Sequence, residues 1–359
     1  MSSVPKPISI DCKFSALAIV NVRAKLEDGG AFLPDGTQIL TGFPFELEAH
    51  WGKWLGSTVI ESLKDCNLVF LRTATDGWTS ESLPVVDDVN ARLGEEVLGL
   101  FSVLRLIDTI EYDSAIKFDG YLKSGQSYCR TSSRLAHYGV TRGYSPWTIR
   151  EADLLTAANL YAGRKDLLKR FPDPQRWRIW RGYDALNMGL EHPRPDNRLH
   201  SFIRALEALI LPDAGKTEKQ FVSRCLMFAA PKASEATART ALQEAYRMRS
   251  DVEHLHEWDR SLANAYPNVE CQDVALLRTR QMERLGCWAY SQIFTNGELR
   301  KHFFRDADVT AFWALPEANI QAAFGTTCDI TQLGKVSSDK CNGIGRAHPS
   351  EWPAHLRNW

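Results

Sequence analysis

The sequence predicts a two-part chain: a β-rich α+β domain with one long helix over residues 1–145, then an all-α helical bundle over residues 146–313. An irregular C-terminal extension is expected over residues 314–359. Three observations predict this. Short segments in the first part place apolar residues at every second position, the period of a half-buried strand. Beyond about residue 147 the apolar residues instead recur at three- and four-residue steps, the period of an amphipathic helix. Finally, 359 residues with 44% hydrophobic content suit roughly two domains rather than one.

Val20, Val22, Ala24 and Leu26 alternate with Asn21, Arg23 and Lys25, which predicts a strand over residues 20–26. Phe45, Leu47, Ala49 and Trp51 repeat the pattern, and a third strand is expected over residues 67–73. The period then changes. Val86, Val89, Leu93, Val97, Leu100, Leu104 and Ile107 mark one long helix, with Asp87 and Asp88 in its first turn, where the helix dipole favours anions. Residues 108–140 mix polar, aromatic and glycine positions and suggest further short strands.

The domain boundary is expected near Gly143 to Trp147. A first bundle helix shows Leu154, Ala158 and Tyr161 on one face and should stop before Pro172, and a second should begin near Gln175. The third has the broadest apolar face, made by Leu199, Phe202, Ile203, Leu206, Leu209 and Ile210, and Pro212 ends it. Helices follow over residues 217–229, 234–253 and 272–295, and their short connections predict largely antiparallel neighbours.

With a formal net charge of −1 the chain has no global positive field, so any nucleic-acid binding must rest on a local patch. Residues 1–13 lack the basic and apolar regions of a signal peptide, and no stretch approaches the roughly 18–20 apolar residues of a membrane span, so a cytoplasmic protein without membrane contact is expected. The eight cysteines contain no C-x-x-C pair and read as reduced core residues.

One stretch concentrates chemistry: Tyr246-Arg247-Met248-Arg249-Ser250-Asp251-Val252-Glu253-His254 places a histidine after an arginine with four residues between. The spacing alone is common, but it ends a long helix, follows Ser201-Phe202-Ile203-Arg204-Ala205-Leu206-Glu207-Ala208-Leu209-Ile210, and precedes the helix holding Gln281-Met282-Glu283. This succession resembles HEPN domains, particularly the Apea-like branch, over roughly residues 148–313, closing at Phe312-Trp313. The resemblance implies a ribonuclease whose arginine and histidine, here Arg249 and His254, lie in a cleft between two copies of the bundle. It implies a homodimer, RNA as substrate, no metal and no cofactor, a role in defence or growth arrest, and room for an antitoxin or activator protein. Tyr246 precedes the arginine by three, as the pattern expects. Ser250 and Leu255 depart from it, since active members often carry a stronger polar group at the first position and glycine at the second.

Helix geometry leaves alternatives open. Five residues advance about 500°, which puts Arg249 and His254 roughly 140° apart on an unbroken helix. Either the helix unwinds near Val252, or two subunits combine their groups, or His256 is the partner, because seven residues nearly close two turns. Arg247 aligns with His254 by the same count. An imidazole titrating near neutrality can pass the 2′-hydroxyl proton, and a guanidinium can hold the charge that builds on the phosphorane. The products would be 2′,3′-cyclic phosphate and 5′-hydroxyl ends, and DNA would be inert. A structural reading competes: Arg249 pairs with Asp251 or Glu253, and His254 caps the helix.

Other segments are weaker. Between Arg164 and Arg181 seven basic residues face two acidic ones, and Arg170, Arg176, Trp177, Arg178, Trp180 and Arg181 could grip an RNA backbone and stack a base; a solvated amphipathic helix with core tryptophans explains them as well. His200, Arg204 and Glu207 share one helix face and could stand around Arg249 or form an exposed ion pair. Gly215-Lys216-Thr217 lacks the first glycine and the strand of a phosphate-binding loop. Cys328, Cys341, His348 and His355 fit no zinc-finger spacing. Trp51, Trp54 and Trp78 could form a recognition surface but suit a core better.

Overall fold

A computed structural model describes residues 11–75, 86–108, 110–135, 147–168, 177–192, 194–254, 256 and 259–333. The chain forms two compact units, Met1–Tyr161 and Ala162–Trp359.

The first unit contains β1 (Cys12–Val20), β2 (Ala24–Leu26), β3 (Gly30–Phe32), β4 (Gln38–Leu40), α1 (Trp51–Leu55), α2 (Ser57–Lys64), β5 (Leu68–Ala74), α3 (Asp88–Leu104), β6 (Ser114–Lys123), β7 (Gln126–Leu135), β8 (Trp147–Ile149) and the start of α4 (Glu151–Leu167). Six strands make an antiparallel sheet in the order β3-β4-β5-β1-β6-β7. All nine residues of β1, at its centre, are buried. Phe14, Ala16 and Ala18 join Trp51, Leu63 and Val69 in one core, while Phe70 of β5 meets Phe101 of α3 in an aromatic contact. A strand covered on both faces reads as a continuous apolar run rather than an alternation.

That explains the misplaced first strand. The alternation over residues 20–26 spans the end of β1, Asn21 in the left-handed region (φ 52°), and the start of β2. Val20, Val22 and Ala24 are buried, so the pattern registers burial without a continuous strand. Residues 45–50 form no strand either: Phe45 stacks on Phe14 at 4.2 Å, Leu47 packs on the same core, and Trp51 opens α1. The expected third strand is β5, and the long helix is α3, whose Asp87 caps it by accepting from the Val89 and Asn90 amides. Instead of short strands, residues 114–135 form a ten-residue hairpin pair that turns at Ser124 (φ 50°) and Gly125 (φ 79°).

β8 pairs in parallel with β2, so residues 147–149 belong to the first unit and the division falls inside α4, later than the expected boundary.

The second unit contains the rest of α4, then α5 (Trp177–Glu191), α6 (Pro195–Ile210), α7 (Thr217–Ala229), α8 (Glu235–Glu253), α9 (Asp259–Ala265), α10 (Cys271–Thr295), α11 (Gly297–Lys301), α12 (Asp306–Trp313) and α13 (Glu317–Phe324). It is mostly helical, as expected. α6 is the core helix: Leu199, Phe202, Ile203, Leu206, Leu209 and Ile210 are all at most 1% exposed. Its neighbours tie to its backbone, with the Tyr290 hydroxyl donating to Ala205 O and Trp313 Nε1 to Leu209 O. A buried ion pair joins Arg198 to Glu283 of α10. Before Pro212, Leu211 turns left-handed (φ 47°), and Arg224 of α7 donates to the freed Ile210 and Leu211 carbonyls. At Gly182 any Cβ would meet the Ala208 methyl and the Tyr290 hydroxyl at 2.3 Å, so α5 approaches α6 only through glycine there.

Residues 314–333 are not an irregular extension. Ile320, Phe324 and Ile330 are buried, Phe324 stacks on Phe228, and the Cys328 amide donates to Phe228 O. Their apolar residues are too few and too closely spaced for the helical period to show. No helix among the described residues is long and apolar enough to cross a membrane.

Asn90, 1% exposed, is the polar tie of the first unit: its side-chain amide donates to Phe14 O (2.8 Å) and Gly120 O (3.0 Å), beside the register shift at Asp119/Gly120. Asn90→Ala should therefore cost roughly 1–3 kcal/mol, read as a lower urea midpoint at unchanged slope. A loss under about 0.5 kcal/mol would show that those carbonyls find other donors.

Candidate functional site

The candidate residues gather where α6 packs on α8. Arg249, 15% exposed at its side chain, is clamped by two carboxylates: Nη2 lies 3.2 Å from Glu207 Oε2 on α6, and Nη1 lies 2.5 Å from Glu253 Oε2 one turn on. Its guanidinium stands 5.7 Å from the centre of the Tyr246 ring, and the Tyr246 hydroxyl donates to Glu207 Oε1 at 3.2 Å. The spacing explains the grouping, since positions 246, 249 and 253 recur at three and four residues on one helix face. A largely enclosed guanidinium needs counter-charge, and two carboxylates supply it.

Burial pushes the Glu207 carboxyl above its usual range, against the pull of Arg249, and burial also raises the Tyr246 hydroxyl. His200, two turns before Glu207 on α6, is half-buried. Burial first, and then the charge of Arg249, hold its imidazole below the usual range, while Glu253 acts in the opposite sense. Two nitrogens here are enclosed without a hydrogen-bond partner: His200 Nδ1 and Arg249 Nε.

The histidines expected to partner Arg249 stand elsewhere. α8 does not unwind near Val252; it continues to Glu253, with His254 as its C-cap (φ −92°, ψ 9°) and the His254 amide donating to Ser250 O. The His256 amide closes the helix end by donating to Asp251 O. His256 thus lies past the helix, and the two-turn alignment with Arg249 fails because the turns it needs do not exist. Both rings are exposed, with centres 5.9 Å apart, and neither is hydrogen-bonded to Arg249. Arg247 faces outward to Glu218 at 3.2 Å, and Ser250 and Asp251 are partly exposed. Leu255 lies outside the described residues.

Of the helix-face trio, Glu207 takes part in the clamp, Arg204 is exposed, and His200 stands beside the clamp rather than in an exposed ion pair. Spacing alone offers a position around Arg249, because positions 200, 204 and 207 share a face opposite the apolar stripe. What sequence could not supply was the register of α6 against α8.

In the basic segment, Trp177 is 44% exposed and stacks on Trp180 (5.3 Å, 18°), with Arg181 over its ring at 5.8 Å. Trp177 is therefore not core. Arg178 pairs with Asp306, and Arg170 and Arg176 lie outside the described residues. Gly215 and Lys216 lead into α7 at Thr217, and the three line an open cavity of about 430 Å³ with Lys219 and Arg239. Cys328 is a buried thiol pushed up to about 11, and its three companions lie outside the described residues. Among the described residues no group of three histidine, cysteine or carboxylate side chains could hold a metal. Trp51 is buried and Trp54 is 79% exposed; Trp78 lies outside the described residues.

Comparison with family models, with curated proteins and with solved structures returns no match.

The clamp predicts a difference between two substitutions. Glu207→Gln keeps one acceptor oxygen for Arg249, while its amide N–H can donate to the Tyr246 hydroxyl, and should stay within about 1 kcal/mol of the parent at neutral pH, whereas Glu207→Ala strands both donors and should cost roughly 1–3 kcal/mol. Because the folded carboxyl is raised, its stabilising protonation is complete below the unfolded value and is lost as pH rises through the folded one. Denaturation curves across the acid range should show that gain in the parent and not in Glu207→Gln; identical pH dependence would remove Glu207 from the buried site.

Proposed function

We propose that the chain is a metal-independent endoribonuclease of HEPN type that acts as a homodimer through its helical unit. Support comes from one observation above the rest: at the end of α8 a guanidinium is held in a fixed position by Glu207 and Glu253, and two exposed imidazoles, His254 and His256, follow immediately. Arg249 offers donors to a phosphate oxygen and His254 moves the proton of the attacking 2′-hydroxyl. Because five residues of helix turn Arg249 and His254 about 140° apart, a second copy is the natural source of the matching group across a cleft. Exposed Trp177, stacked on Trp180 with Arg181 over its ring, gives a sequence-tolerant surface for an unpaired base.

A second reading has its own observation. Arg249 already carries two carboxylate partners, which compete with any phosphate, and this suits a bundle that binds or dimerises without cutting.

Incubating a mixed RNA pool in EDTA with the purified protein separates the two. The nuclease reading expects 2′,3′-cyclic phosphate ends, lost in Arg249→Ala and His254→Ala and retained in His256→Ala. RNA that is bound by the dimer yet left intact would establish the silent bundle instead.

A further inference from the structure

We propose that His200 and Arg249 form a two-point anion site that receives the phosphodiester of RNA, an inference that rests on the ribonuclease reading above. The carrying observation is the pair of enclosed nitrogens without partners in one helix seam, His200 Nδ1 from α6 and Arg249 Nε from α8. Buried polar atoms are rarely left unpaired, and those that are call for an explanation in strain, an ordered water, an ion or a ligand. Arginine Nε–H is always a donor, and His200 Nδ1 becomes one when the ring is protonated. Arg249 Nε–H and, once the ring is protonated, His200 Nδ1–H make two donors that match an oxyanion.

The charged groups that act on His200 are Arg249 and Glu253 from α8 and Arg204 from its own helix, with Glu207 two turns along the same face. In the free protein the imidazole is disfavoured as a cation, first by burial and then by Arg249. An arriving anion reverses that electrostatic balance, so the ring takes up a proton as the anion binds. Glu253 is the carboxylate that yields: its side chain is 41% exposed against 18% for Glu207, and it swings from the outer turn of α8 while Glu207 keeps Arg249 in place. His254 remains the proton-transfer group and His200 becomes part of phosphate recognition.

Sulfate is a suitable probe because its charge is constant through the range in which histidine titrates. With the full chain carrying labelled histidines, and His200→Asn to assign the resonance, sulfate should raise the His200 titration midpoint by about one unit, the effect of an opposite charge within a few ångströms. Affinity for sulfate should fall several-fold from about pH 6 to about pH 8 in the parent and lose that dependence in His200→Asn. If sulfate moves the His254 and His256 resonances and leaves His200 unmoved, or if His200→Asn binds with the parent's pH dependence, the proposal is overturned. Should His200→Asn fail to fold, the shift in the parent decides alone, its resonance being assigned by elimination with His254→Ala and the other single-histidine variants. Failure of the nuclease reading looks different: His200 would respond to sulfate while RNA stayed uncut.

Discussion

A guanidinium that is 85% removed from water at its side chain must be met by opposite charge, and this constraint organises the end of α8. Glu207 reaches Arg249 from α6, Glu253 reaches it from one turn on, and Tyr246 both underlies the guanidinium and donates to the same Glu207. The clamp cannot form unless α6 and α8 pack in one register. That register is fixed by the apolar stripe of α6, whose six residues are almost wholly buried. Packing therefore places the charge, and the charge in turn makes the seam intolerant of slippage.

The same seam is not fully satisfied. Arg249 Nε and His200 Nδ1 lack partners although neighbouring groups are closely paired. Arg278, also in the helical unit, is by contrast met at all three guanidinium nitrogens by Glu244, Gln281 and Tyr266. The contrast separates a network that serves folding from one with donor capacity to spare, and it is the physical basis for placing ligand chemistry at Arg249 rather than at Arg278.

The bundle was legible where an amphipathic period ran for several turns. The stripe of α6 and the bounds of α7 follow from sequence because each buries one face and exposes another. β1 was not legible, since a strand covered on both sides shows no alternation, and residues 45–51 misled because an irregular segment leading into a helix can turn alternate apolar residues to the core just as a strand does. α13 was missed because its burial depends on Phe228, which is remote in the chain. At the site, Arg249 and Glu253 were within reach of a pattern argument, whereas Glu207 as the partner across the seam required tertiary register. His256 was misjudged by extending a helix past the residue where its amide closes it.

If Arg249 is shared between structure and phosphate, removing one of its carboxylates should help binding, and only through that arginine. The direct measurement is the affinity of an uncleavable 2′-deoxy strand for the parent, Glu253→Gln, Arg249→Ala and the double variant. Glu253→Gln should tighten binding several-fold, by about 1 kcal/mol, and the gain should vanish when residue 249 is alanine. An equal gain in both backgrounds would mean that Glu253 acts only through overall charge, and Arg249 would then be a structural ion pair with no share in binding.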